Sequence, residues 1–186
     1  TPSAAGLLLV GHCHDGYRGD ASGAGWREAN FYSRLEMENC LFHDNTAGAT
    51  HGSALYFQTD TGAARPMVVN CTIANNENGG IAWEGAGSPR VVNSILWDNG
   101  PHEILPDCTA GALVAYSDVM GGGGCEIWAG TIGGEPEDNP KFVGGFDLDW
   151  DSPCIDAAEP WFAPATDISG AYRDAAPDMG AYEYFS

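Results

Sequence analysis

The sequence predicts an all-β solenoid in which short strands of successive turns stack in parallel, and three observations predict it. First, four segments align without gaps: Met37–Phe42, Val68–Ile73, Val91–Leu96 and Val114–Val119. Their Asn39, Asn70, Asn93 and Tyr116 stand 31, 23 and 23 residues apart. Second, the segments are short and rich in β-branched residues, and Asn, Asp and Gly bound them, which are strand and turn signals. Third, a spacing of 23 residues is too short for a helix-pair repeat, which needs about 33 or more. The 26 Gly and 11 Pro suit a turn-rich β protein.

The columns of the alignment have a physical reading. Like residues of successive coils lie over one another about 4.8 Å apart. Met37, Val68, Val91 and Val114 then form one inward apolar ladder, and Phe42, Ile73, Leu96 and Val119 a second. Asn39, Asn70 and Asn93 fall where the chain bends. Asn tolerates left-handed backbone there, and a stacked amide column can hydrogen-bond along the axis. The next position reads Cys40, Cys71, Ser94, Ser117, a small buried column. A second apolar stretch follows each turn, at Ala54–Phe57, Ile81–Trp83 and Glu103–Leu105. The longer first interval reads as one coil with an extended loop near Thr59 to Pro66. Leu7 to Cys13 reads as an earlier strand, with Cys13 in the Cys column 27 residues before Cys40. Residues 1–137 are assigned to the coils. Residues 138–186 depart from the repeat and are assigned to an irregular C-terminal cap packed on the last coil, hiding its open edge. Asp167–Arg173 is expected to be a loop crossing that end.

Three stretches carry a family resemblance. Asn70-Cys71-Thr72-Ile73-Ala74-Asn75-Asn76, Val92-Asn93-Ser94-Ile95-Leu96-Trp97-Asp98-Asn99 and Tyr116-Ser117-Asp118-Val119-Met120-Gly121-Gly122 resemble the right-handed parallel β-helix repeat proteins of the pectate-lyase-like superfamily. Asn139-Pro140-Lys141-Phe142-Val143, Asp151-Ser152-Pro153-Cys154-Ile155-Asp156-Ala157 and Asp178-Met179-Gly180-Ala181-Tyr182-Glu183-Tyr184 resemble the C-terminal end of secreted bacterial β-helix proteins of the choice-of-anchor and polymorphic-outer-membrane type. The resemblance spans roughly residues 35 to 184. It implies a right-handed parallel β-helix of about 23 residues per coil, and a secreted, extracellular or cell-surface address. A fold of this kind hosts many functions, so activity must be argued from a site.

Charge narrows the partners. Seven Lys and Arg against 26 Asp and Glu give a net charge of −19. Phosphate backbones and anionic lipid surfaces need clustered cations, so nucleic acid and membrane-surface binding are excluded as expectations. No apolar run reaches the roughly 18 residues of a membrane helix, so no membrane insertion is expected. Lyases of this fold need a base and a neutralising cation beside a uronate. Arg18, Arg27, Arg34, Arg65 and Arg90 are spread over different coils instead. Gly100-Pro101-His102-Glu103 resembles the Asp-Pro-His-Glu element of alginate epimerases but lacks its leading Asp. No catalytic residue is assigned, and no cofactor is required.

The remaining polar and aromatic residues give weaker candidates, each with a bland alternative. Asp147, Asp149 and Asp151 alternate with apolar residues, which would put three carboxylates on one face of an extended segment. They are either Ca²⁺ ligands or a solvated acidic face. His12 and His14 point to one side of a strand. They are either a solvated pair or two Zn²⁺ or Cu²⁺ ligands completed by His43 or His51. Trp83, Trp97 and Trp128 are candidates for stacking on sugar or on a partner protein, against a place in core or cap. The six Cys allow fifteen pairings. Cys108–Cys125 is the disulfide candidate, tying off one Gly-rich loop, and Cys40 and Cys71 read as buried thiols.

The functional expectation is a structural or adhesive module without catalysis. It would self-associate end to end into a fibre, or continue into a larger parent chain, through its N-terminal coil end. The alternative is a carbohydrate-binding or polysaccharide-cleaving, lyase-like protein.

Overall fold

A computed structural model describes residues 14–15, 24–28, 36–45, 54–59, 65–85, 87–106, 111–122 and 129–185. Every regular element there is a β-strand, apart from one short 3-10 turn at Pro136–Asp138. In chain order the strands are β1 (His14–Asp15), β2 (Ala24–Glu28), β3 (Glu36–Glu38), β4 (Leu41–His43), β5 (Leu55–Thr59), β6 (Met67–Val69), β7 (Thr72–Ala74), β8 (Ile81–Gly85), β9 (Arg90–Val92), β10 (Ile95–Trp97), β11 (Ile104–Leu105), β12 (Leu113–Ala115), β13 (Asp118–Val119), β14 (Phe142–Val143) and β15 (Asp147–Leu148). None of the described residues forms a helix long and apolar enough to cross a membrane.

Strands β1 to β13 collect into three parallel sheets, an arrangement compatible with a solenoid, and β14 and β15 form a separate antiparallel pair. The first runs β1-β4-β7-β10-β13, the second β11-β8-β5-β2 and the third β12-β9-β6-β3. The register is the one the aligned columns predict. Met37 pairs with Val68, Val68 with Val91 and Val91 with Val114. Phe42 pairs with Ile73, Ile73 with Leu96 and Leu96 with Val119. In the second sheet Leu55 pairs with Ile81 and Ile81 with Ile104. His14 pairs with Leu41, the offset of 27 expected for the earlier strand; Cys13 itself lies outside the described residues.

Burial follows from this register. Side chains alternate across a strand, so stacked like positions share one side. Val68, Val91, Val114, Ile73, Leu96 and Ile81 have at most trace exposure and meet in one core. Cys40 and Cys71 are buried within it, 1% and 0% exposed. Four bends between the third and first sheets are left-handed: Asn39, Asn70, Asn93 and Tyr116 have φ of 51°, 46°, 54° and 49°. A second set of left-handed residues, Asp44, Asn75 and Asp98, closes the first sheet on its other side.

Two expectations are corrected here. The C-terminal segment, residues 139–185, does not sit as a cap on the last coil. It lies along the outer flank of the first sheet, reaching from Asn39 to Asp118. The reason is chemical: Leu41 and Ile95 leave apolar surface on that flank, and the segment covers them with Ile168, Ala181, Leu148, Cys154 and Met179. Asp167–Arg173 likewise reaches the flank beside Leu41 and Asn39 rather than the chain's last coil. The end of the first sheet is extended instead by Ala129–Ile132, through the bonds Tyr116 N–H to Ala129 O (2.8 Å) and Ile132 N–H to Ser117 O (2.9 Å).

Val91 sits inside the Met37–Val114 apolar ladder with 0% exposure. Val91→Ala is expected to destabilise by about 2–3 kcal/mol through lost burial and the cavity left behind, measured by urea unfolding.

Candidate functional site

Short strands leave many backbone groups at the bends, and side-chain columns satisfy them. In the Cys/Ser column, Ser94 Oγ accepts from Cys71 N–H at 3.1 Å and Ser117 Oγ accepts from Ser94 N–H at 3.0 Å. Each hydroxyl donates back to the carbonyl two residues earlier, Val92 or Ala115, at 2.9 Å. On the other side of the first sheet, Asn45, Asn76 and Asn99 form an amide ladder. Asn45 Nδ2 donates to Asn76 Oδ1 at 2.8 Å, and Asn76 Nδ2 donates to Asn99 Oδ1 at 2.6 Å. Glu103 ends the ladder, accepting from Asn99 N–H at 3.0 Å and from its side-chain amide. Burial raises the Glu103 carboxyl above its usual range, against the Asn99 bonds that favour its charge. The acidic residue of the Gly100–Glu103 element is thus bonded into the architecture.

The Asn39, Asn70 and Asn93 bends do two jobs. Asn93 Nδ2 donates to Asn70 Oδ1 at 3.1 Å, the expected link along the axis. Asn39 departs from that column, giving its amide to Thr166 O at 2.6 Å and accepting from Arg173 Nη2 at 3.1 Å. All three read the main chain of the C-terminal segment. Asn70 Nδ2 donates to Asp178 O at 2.9 Å, and Asn93 exchanges two bonds with Glu159, at 2.9 and 3.0 Å. Gly180 N–H donates to Asn93 O, and Ala181 N–H to Thr72 Oγ1. At Gly180 only glycine serves: φ is +92°, and a Cβ would stand 2.8 Å from both Ile95 Cδ1 and Thr72 Oγ1.

Within the segment, Arg173 and Glu183 form a buried ion pair at 2.8 Å, their side chains 2% and 1% exposed. Arg173 also donates to the carbonyls of Asp178, Gly180 and Ala181. Burial lowers the guanidinium pKa, and Glu183 opposes that shift. Asp178 accepts from the amides of Asp156 and Tyr184, yet burial pushes its carboxyl up to about 6. Sheet-side Asp118 is fully buried, and burial pushes it up to about 7. Its Oδ2 accepts from the Cys154 thiol at 3.2 Å, and Oδ1 has no partner.

The sequence-predicted residues are distributed as follows. Trp83 is not a surface ring: it is 8% exposed and belongs to the core, two residues from inward Ile81 and in register with Phe57. Trp97 is half-buried against the C-terminal segment rather than free for a ligand. Trp128, Cys108, Cys125, His12 and His51 lie outside the described residues, and His14 is placed as a residue of β1. Asp147, Asp149 and Asp151 do not line one extended face. β15 ends at Leu148, the chain turns, and Asp151 pairs with Lys141 at 2.8 Å. Among the described residues, no three His, Cys, Asp or Glu side chains gather to hold a metal.

Among the described residues, the most exposed large rings are instead Trp161 at 86%, Tyr172 at 79% and Trp150 at 74%, all on the C-terminal segment. Sequence reasoning passed over them because the segment has no repeat to set which way a side chain points. The candidate site is therefore this segment: its inner side grips the sheet flank, and its outer side presents aromatic rings. A comparison with protein-family models, with curated proteins and with solved structures returns no match.

Two outcomes test the grip. Gly180→Ala is expected to detach the segment locally, seen as faster hydrogen exchange at residues 178–182 while the amides of Asn70 and Ile95 stay protected. Arg173→Met strands a buried Glu183 carboxylate and is expected to cost about 3–5 kcal/mol, measured by urea unfolding.

Proposed function

We propose that this chain is a right-handed parallel β-helix module of about 23 residues per coil. It serves a secreted or cell-surface protein as a structural and adhesive element without catalysis of its own. One observation carries the reading. The polar groups gathered at the bends and under the C-terminal segment are spent on architecture, while large rings are turned to solvent. Asn99 with Glu103 and Arg173 with Glu183 are examples of such internal pairing. Self-association would run end to end through the sheets, as expected for stacked parallel strands. Static light scattering across a concentration series tests it: growth into linear assemblies supports the fibre form, and a concentration-independent monomer sinks it.

A second reading, carbohydrate binding, is favoured by the exposure of Trp150 and Trp161. Indole faces stack on the apolar faces of sugar rings. A net charge of −19 points to neutral glycans rather than polyuronates. In affinity electrophoresis through neutral polysaccharide, Trp161→Ala and Trp150→Ala are each expected to lower retention about fivefold, with unchanged folding by circular dichroism. Retention equal to wild type in both variants would remove the glycan reading. Appearance of an unsaturated uronate product with polyuronate and Ca²⁺ would instead establish a lyase.

A further inference from the structure

We propose that Asp118 is a pH-sensitive latch: its neutral carboxyl holds the C-terminal segment on the sheet flank, and its carboxylate releases it. The inference is independent of the function proposed above and rests on the geometry of one contact. Asp118 lies on β13 in the outward column of the first sheet, in line with Ile95, Thr72 and Leu41. Those three are covered by the segment or bonded to it. Asp118 is the one acid in that column, and its side chain is wholly buried. Oδ2 accepts a hydrogen bond from the Cys154 thiol at 3.2 Å, whereas Oδ1 has no partner among the described residues.

A buried carboxylate needs donors or a cation, and this one has a single weak donor. The groups facing it are Cys154 from the segment, Asp138 from the 3-10 turn and Glu103 beside β11. Behind Cys154 stands Asp178, which also acts on that thiol. All are acids. Lys141 is held by Asp151, and Arg173 by Glu183. Burial and the neighbouring acids hold the Asp118 carboxyl at about 7, and they raise the Cys154 thiol, so the thiol stays protonated.

The sign follows directly. A carboxyl whose docked pKa exceeds its free value favours docking while it remains protonated. Docking is tightest below the free value near 3.8, weakens as pH rises from there to about 7, and is then constant. Asp178, raised to about 6, adds in the same direction, but it keeps two backbone donors and lies near Arg173.

The test is hydrogen exchange by mass spectrometry on the full chain from pH 5 to pH 7.5, each rate divided by the intrinsic rate at that pH. The Gly180 and Ala181 amides report docking, since they donate to Asn93 O and Thr72 Oγ1; the Asn70 and Ile95 amides report the sheets. Protection at 180–181 is expected to fall at least about tenfold over that range, tenfold per pH unit being the limit for one titrating group. The sheet amides should hold. In Asp118→Asn most of that fall should vanish, because an amide carries no charge at any pH. Asp178→Asn should keep most of it. If Asp118→Asn fails to fold, Cys154→Ala gives the second readout: it removes the one donor and should steepen the loss. A flat wild-type profile, or the full fall persisting in Asp118→Asn, overturns the latch.

Discussion

Strands of two or three residues offer few ladder bonds each, so the sheets depend on what happens at the bends between them. The controlling interaction is the one made by the side chain just before, at or just after a left-handed residue. Asn70 and Asn93 take φ near 50° and join their amides along the stack. Ser94 and Ser117 pass a hydrogen bond from one level to the next. Asn45, Asn76 and Asn99 do the same on the far side of the first sheet, ending on Glu103. Each column satisfies backbone groups that would otherwise be buried without partners, at a cost comparable to a lost hydrogen bond. The apolar ladders of Val and Ile then pack in the register those columns hold.

That constraint shapes the exterior. Because Asn39, Asn70 and Asn93 lie at a corner, their amides are positioned to bond a second chain segment lying alongside. The C-terminal segment takes this position through main-chain contacts, and it buries a stripe made by Leu41, Thr72, Ile95 and Asp118. Three of these suit a dry contact, and the fourth does not. The stripe therefore contains one ionisable residue beside three uncharged ones.

What was legible in the sequence is what repeats. Val68, Val91 and Val114 could be aligned because each occupies the same environment one level on, and their register is as expected. The left-handed bends at Asn39, Asn70 and Asn93 were readable for the same reason. The Asn45, Asn76 and Asn99 column was visible, but its role was hidden by its neighbours. Asp44, Asn75 and Asp98 take the bend, which turns the following Asn inward. Trp83 was left between a stacking ring and a place in the core, although Ile81, two residues before it, decides for the core. The flank contacts were not legible. Gly180 against Ile95, or Arg173 against Asn39, is made once, between residues with no counterpart elsewhere in the chain.

Arg173 and Asn39 are separated by 134 positions, whereas the levels they bridge are built from partners 23 or 31 apart. This imposes an order of assembly. A polypeptide emerging from its N-terminal side can stack each level on the preceding one as it is made, but residues 139–185 follow only after all the levels they bridge. Until then the apolar stripe at Leu41 and Ile95 lacks its cover, and a net charge of −19 sets like molecules to repel one another. Residues 139–185 are therefore the escort of the levels before them, shielding what those levels could not shield for themselves.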